Sequence, residues 1–272
     1  MKYIREYQLF EASAAAPALT EAQIEWINKC ILSGGSWKLN PQTGLVDVEG
    51  QFYCHFQGLT DLKGVRFGKV SGDFGCESNQ LTSLEGAPHS VGGNFVCYKN
   101  RLTSLEGAPQ IVGKNFDCNK NQLTTLAGAP HSVGKNFNCR DNQLTTLEGA
   151  PHSVGVTFYC DDNQLTTLDG APKTVGLGFN CNNNQLTSLE GAPQSVGVDF
   201  RCRGNQVSEG TLKGIFELMK NGKSYQQAVD EFWPDMTDED RGLMYKQMSS
   251  LSPEDERKYK ALATYGNIKN YL

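Results

Sequence analysis

The chain is poor in the features that mark an enzyme, a membrane span or a nucleic-acid binder. Histidine occurs four times in 272 residues, and no H-E-x-x-H, G-x-S-x-G or C-x-x-C motif appears. The residues for metalloprotease, nucleophile-elbow and dithiol chemistry are therefore missing. Gly222-Lys223-Ser224 suggests a phosphate loop, but Glu217 stands where its first glycine is required. Cationic side chains are not in excess: 25 Lys and Arg face 30 Asp and Glu, a net charge of −5. Such a balance argues against broad phosphate neutralisation and hence against nucleic acid as a partner. No apolar run approaches the ~18 residues of a membrane helix, and no secretory signal is read at the N-terminus.

What the chain does have is a repeat. Residues 95–115 read FVCYKNRLTSLEGAPQIVGKN, and residues 116–136 read FDCNKNQLTTLAGAPHSVGKN. Phe recurs at 52, 74, 95, 116, 137, 158, 179 and 200, with Cys two positions after each one. A fixed period in the twenties is the mark of a solenoid, in which one small unit buries its apolar face only against copies of itself. Eight of the nine cysteines share one column, with Cys30 left over. Cysteines stacked in register point their Cβ vectors the same way, which suits a bridge badly. They read as reduced, buried thiols that pack as small apolar groups in a reducing, cytoplasmic setting.

Within a unit numbered from Phe, Phe at 1 and Cys at 3 alternate with variable residues, the pattern of a short strand with one buried edge. Asn follows at position 6: Asn79, Asn100, Asn121, Asn142, Asn163, Asn184 and Asn205. An amide both donates and accepts, so stacked Asn side chains are expected to satisfy the turn's inward backbone groups and one another. Leu at 8 and 11 supplies further core. Pro at 15 argues against a helix on the return path, so that wall is expected to be extended, with Val at 18 pointing inward. Gly at 19 is expected to permit a sharp turn into the next strand. The Thr column at position 9, such as Thr103 and Thr124, reads as turn hydroxyls.

The F-x-C-x-x-N-x-L segment has the spacing of the leucine-rich-repeat core, and residues 52–207 resemble that family, in particular the short, helix-poor repeats of bacterial effectors and phage proteins. Phe and Cys replace the usual strand leucines. The first unit carries Gln57 in place of Asn and lacks Gly-Ala-Pro, so it reads as a degenerate capping coil. The resemblance implies a repeat solenoid with a parallel β ladder, acting in protein binding without catalysis and without a cofactor. Effectors of this kind that carry a ubiquitin ligase need a cysteine after the repeats, and none follows Cys202.

The expected organisation has four parts. Residues 1–19 form a leader and linker. Residues 20–50 form an α/β N-terminal cap: a Thr20/Gln23 capping box, Ile24, Ile27 and Ile31 at helical spacing, then strand, turn and strand. Residues 51–207 form the solenoid. Residues 208–272 form an α-helical tail, with apolar stripes such as Leu212, Ile215, Phe216 and Met219. The leader is similar to the capsid-targeting leaders of internal phage head proteins, with Leu9-Phe10-Glu11 at the place of their cleavage site.

The inward columns barely vary, whereas positions 2 and 4 vary widely, which marks the strand face as the contact surface. Its aromatic and basic members, Tyr53, His55, Tyr98, Arg140, Tyr159, Arg201 and Arg203, are the candidate protein-binding residues. The expectation is a monomeric, phage-encoded module that binds a protein of the bacterial host. Two alternatives stand beside it. One is a packaged internal virion protein processed after Glu11. The other is a carbohydrate- or calcium-binding solenoid, suggested by the stacked acids Glu85, Glu106, Glu148, Asp169 and Glu190. His131 and His152 alone make too few ligands for a metal site.

Overall fold

Two-residue strands cannot stand alone, so their stability must come from pairing with neighbouring coils. The computed structural model describes residues 18–197 and 199–207. The chain winds as a leucine-rich-repeat-like solenoid with two parallel ladders. The front sheet has eight strands, from Phe52–Tyr53 to Asp199–Arg201, and pairs each Phe with the Phe of the next coil. The back sheet has nine strands, and six of them are two-residue pairs that end in the Val before the glycine at position 19, as in Ser132–Val133, Ile111–Val112 and Thr174–Val175. The far wall is thus a true β ladder, which is why Val133 and its equivalents are buried. Among the described residues the one helix, α1 (Glu21–Cys30), precedes the coils.

The core is a set of columns. The Phe rings stack down the axis with neighbouring centroids 5.1–5.7 Å apart. All nine cysteines are buried and unbridged. Several thiols donate to the next coil's carbonyl, as Cys139 does to Tyr159 at 3.2 Å. Burial pushes the pKa of these thiols well above its ordinary value, which keeps them in the neutral form that suits an apolar core.

The position-6 amides bind coil to coil through the backbone. Asn121 Nδ2 donates to Cys97 O at 3.1 Å and to Cys118 O at 3.0 Å, while its Oδ1 accepts from Leu102 N–H at 3.1 Å. Each such amide therefore ties its own coil to the one before it. The expected bonding between Asn side chains of this column does not occur, because these backbone groups take up the amide.

Position 19 needs glycine for a different reason than a turn. The backbone there is not left-handed; a Cβ on Gly113 would instead drive into the carbonyl of Gly92 in the preceding coil. The column is glycine because two backbones touch. The left-handed turns lie elsewhere, at the glycine of position 13 (Gly107, φ 85°) and, without glycine, at position 5 (Lys99 φ 53°, Asp141 φ 53°).

The first coil lies against α1. The helix opens on the capping box, with Gln23 N–H bonded to Thr20 Oγ1 at 3.3 Å and Thr20 N–H to Gln23 Oε1 at 2.9 Å. Of the expected isoleucine stripe Ile27 is buried, and Trp26 and Cys30 complete the buried face; Ile24 is half-exposed, and Ile31 ends the helix. Trp26 meets Phe52 edge-on at 5.5 Å and Phe67 at 6.4 Å. Strands β1 (Ser36–Leu39) and β2 (Val46–Glu49) form an antiparallel hairpin that heads the back sheet. The cleavage motif expected in the leader and the α-helical tail expected over 208–272 lie outside the described residues.

Candidate functional site

Alternation on the front strands sends positions 1 and 3 inward and positions 2 and 4 outward. The seven candidate residues accordingly share one outer surface, the exposed side of the front sheet. Their surroundings differ along the stack.

At the N-terminal end the surface is aromatic. Tyr53 is half-buried and donates its hydroxyl to Asp73 Oδ2 at 3.0 Å. Burial, that bond and the charges of Asp73 and Glu77 push its pKa up to about 12. His55 lies 5.7 Å from the Tyr53 ring and brings Nδ1 to 3.3 Å from Glu77 Oε1. Tyr98 lies two coils beyond, its ring 5.9 Å from Lys99 Nζ. Next to His55, Phe56 is 73% exposed in a left-handed conformation.

The middle of the face is polar and partly occupied by its own bonds. At position 2, Asp117, Asn138 and Asn180 accept the backbone N–H two residues on, as from Asn119 at 3.2 Å and Arg140 at 3.3 Å. These bonds close the strand end just before the left-handed residue of position 5. Asp161 is buried and accepts from Asn180 Nδ2 at 3.1 Å. Its burial pushes its pKa up to about 6, and burial raises Asp117 as well. Arg140 contacts Asp141 at 3.3 Å on the exposed rim.

At the C-terminal end, Tyr159 and Arg201 flank Asn180 beside a hollow of about 250 Å³, walled by Leu177, which is 47% exposed. Arg201 and Arg203 already take part in interactions of their own. The seven candidates thus fall into an N-terminal cluster (Tyr53, His55, Tyr98), a rim arginine (Arg140) and a C-terminal group (Tyr159, Arg201, Arg203).

Selection by residue type missed Glu77, Asp117 and Asp161, since it favoured aromatic and basic anchors. Their signal was present in the same two columns, as carboxylates set among amides and rings. A second ladder at position 21 was also missed. Asp73 accepts from Asn94 N–H at 2.7 Å, Asn94 from Asn115 N–H at 3.2 Å, and Asn115 from Asn136 N–H at 3.1 Å.

The other columns give no comparable cluster. His131 and His152 stack at 5.4 Å on the back of the solenoid, and the position-12 acids are exposed along a turn. Among the described residues no three His, Cys, Asp or Glu side chains lie together as a metal-ligand set, and no helix is long and apolar enough to cross a membrane.

No family model and no curated protein matches the chain. Among solved structures it is similar to YopM from Yersinia enterocolitica WA-314. Identity is 16% and the TM-score 0.35, over 74% of this chain and 58% of that one. The chain therefore spans less than two thirds of that neighbour's length.

Proposed function

We propose that this chain is a non-enzymatic protein-interaction module that docks its partner on the outer face of the front sheet. The observation that supports this most is the contrast within single strands. Phe and Cys repeat inward without change over eight strands, while outward residues two positions apart range from Tyr through Asp and Asn to Arg. A stacked backbone of this kind presents side chains with little ordering cost on binding. Tyr53, His55, Tyr98, Arg140, Tyr159, Arg201 and Arg203 are the proposed contacts, with aromatic rings as the anchors.

The finer reading is a phage-encoded monomer that acts on a host protein in the bacterial cytoplasm. It is supported by the resemblance of the repeats and of the leader to phage sequences. The rival, a packaged virion protein, draws on Leu9-Phe10-Glu11. A mature N-terminus at Ala12 in purified virions would favour it over the host-protein reading.

The test of the docking face is the double variant Tyr98→Ala with Tyr159→Ala. Capture of the partner from infected cells should fall by at least about tenfold, as for loss of two aromatic anchors, with the melting temperature nearly unchanged. Undiminished capture would remove this face from consideration.

A further inference from the structure

One corner of the strand face holds an unmet chemical demand. In column 4, Glu77 sits between His55 and Tyr98, held in register by Phe56 N–H to Glu77 O at 3.3 Å and Ser78 N–H to Tyr98 O at 3.0 Å. Diagonally beside it is Gly75, paired with Tyr53 in the adjacent coil. A Cβ on Gly75 would press on both the Tyr53 ring and Glu77 Oε2, so ring and carboxylate converge over this one residue without a side chain. The carboxylate's Oε1 faces His55 Nδ1 at 3.3 Å. Its Oε2 is buried and has no hydrogen-bond partner. A buried carboxylate oxygen without a donor is costly, and the remedy is a donor from outside.

We propose that the corner of Tyr53, His55, Glu77 and Tyr98 receives a cationic side chain, lysine or arginine, from the partner protein. This rests on the reading of the strand face as the docking surface and gives that surface its partner chemistry. A cation fits on two counts. The carboxylate supplies opposite charge in a half-buried place, and the rings of Tyr53 and Tyr98 offer π faces that attract organic cations. The chain itself gives an example of the second, with Lys99 Nζ lying over the Tyr98 ring. An anion is disfavoured, because Asp73 and Glu77 both act on Tyr53, and Glu77 and Asp117 both act on Tyr98. A metal ion is disfavoured by the single carboxylate, since hard cations need several oxygen ligands.

The experiment is an amide ¹H–¹⁵N titration of the whole chain with N-acetyl-argininamide, with N-acetyl-citrullinamide as the neutral isostere. The expected result is saturable shifts at Gly75, Glu77 and Tyr98 with the arginine compound alone. Glu77→Gln should weaken that binding by about tenfold, the size expected from losing a charge-assisted contact. If that variant fails to fold, Gly75→Ala, which fills the corner but keeps the carboxylate, should weaken it in the same direction. Absence of saturable shifts, equal response to citrulline, or unchanged affinity in the variants would overturn the cation corner. The docking surface would survive that result, because it is judged by partner capture in the Tyr98/Tyr159 double variant. Conversely, argininamide binding with capture unaffected by the double variant would overturn the docking surface and with it the corner's role in holding a partner.

Discussion

The first coil and the interior coils obey the same physics with different residues. In an interior coil, Asn142 donates to Cys118 O in the coil before it and to Cys139 O in its own, at 3.2 and 3.0 Å. The first coil has a helix where the preceding coil would be. There Gln57, one methylene longer, reaches outward instead: its Oε1 accepts from Trp26 Nε1 at 2.9 Å, and its Nε2 lies 3.4 Å from Cys30 Sγ. Asn79 in the second coil takes up the slack by accepting from both Gln57 N–H at 2.9 Å and Leu59 N–H at 3.1 Å. The departure from the repeat at position 57 is the repeat's own rule applied where no coil precedes.

That comparison can be broken most forcefully in the interior. Asn142→Ala leaves the buried Leu123 N–H without its acceptor and removes one of two donors each from the carbonyls of Cys118 and Cys139, which keep Asn121 and Asn163. One unsatisfied buried N–H costs about 1–3 kcal/mol and the two lost carbonyl bonds add to it, so a loss of about 2–3 kcal/mol is expected in denaturant unfolding. A smaller loss belongs to the first coil. Gln57→Ala removes contacts that are partly exposed and should cost about 1 kcal/mol, read as a modest fall in melting temperature. Equal costs at the two positions would mean that the Asn column is not a coil-to-coil bridge.

The remaining effect lies on the outer face and has the opposite sign. Asp161 has its pKa raised from 3.8 to about 6 by burial, so between those values the folded state binds the extra proton. Stability from this group is therefore present at low pH and is lost as pH rises through about 6. Asp161→Asn should stabilise the protein at pH 7, by at most about 3 kcal/mol for a pKa raised from 3.8 to about 6, and by almost nothing below about pH 3. A destabilised variant at pH 7 would show that the carboxylate is held by partners that outweigh its desolvation.

The inward columns were legible because each is a fixed residue at a fixed period. Phe, Cys, Asn, Leu and Val each recur with the spacing of a coil, and periodicity needs no knowledge of distance. What stayed hidden depends on how closely coils approach. The glycine at position 19 was readable as an invariant, but its cause is the carbonyl of the coil before it, as for Gly113 against Gly92. The left-handed residues at position 5 include Ser78, Lys99, Asp141 and Asn183, a set with no shared type that periodicity could detect. The turn hydroxyl is at position 10, where Thr125 Oγ1 accepts from Ala127 N–H at 3.1 Å; the Thr column of position 9, such as Thr124, points outward. On the strand face, choosing residues by type found the rings and missed Glu77, whose meaning comes from Gly75 and Tyr53 lying beside it in space.

The most direct trial of the docking surface is site-specific photo-crosslinking in infected cells. A photoreactive phenylalanine analogue is placed at Tyr98 or Tyr159 on the front sheet, or at Ser132 or Ser153 on the back sheet. One discrete adduct, formed from both front positions and from neither back position, is the predicted result. Adducts formed from the back positions alone, or equally from both sheets, would contradict it.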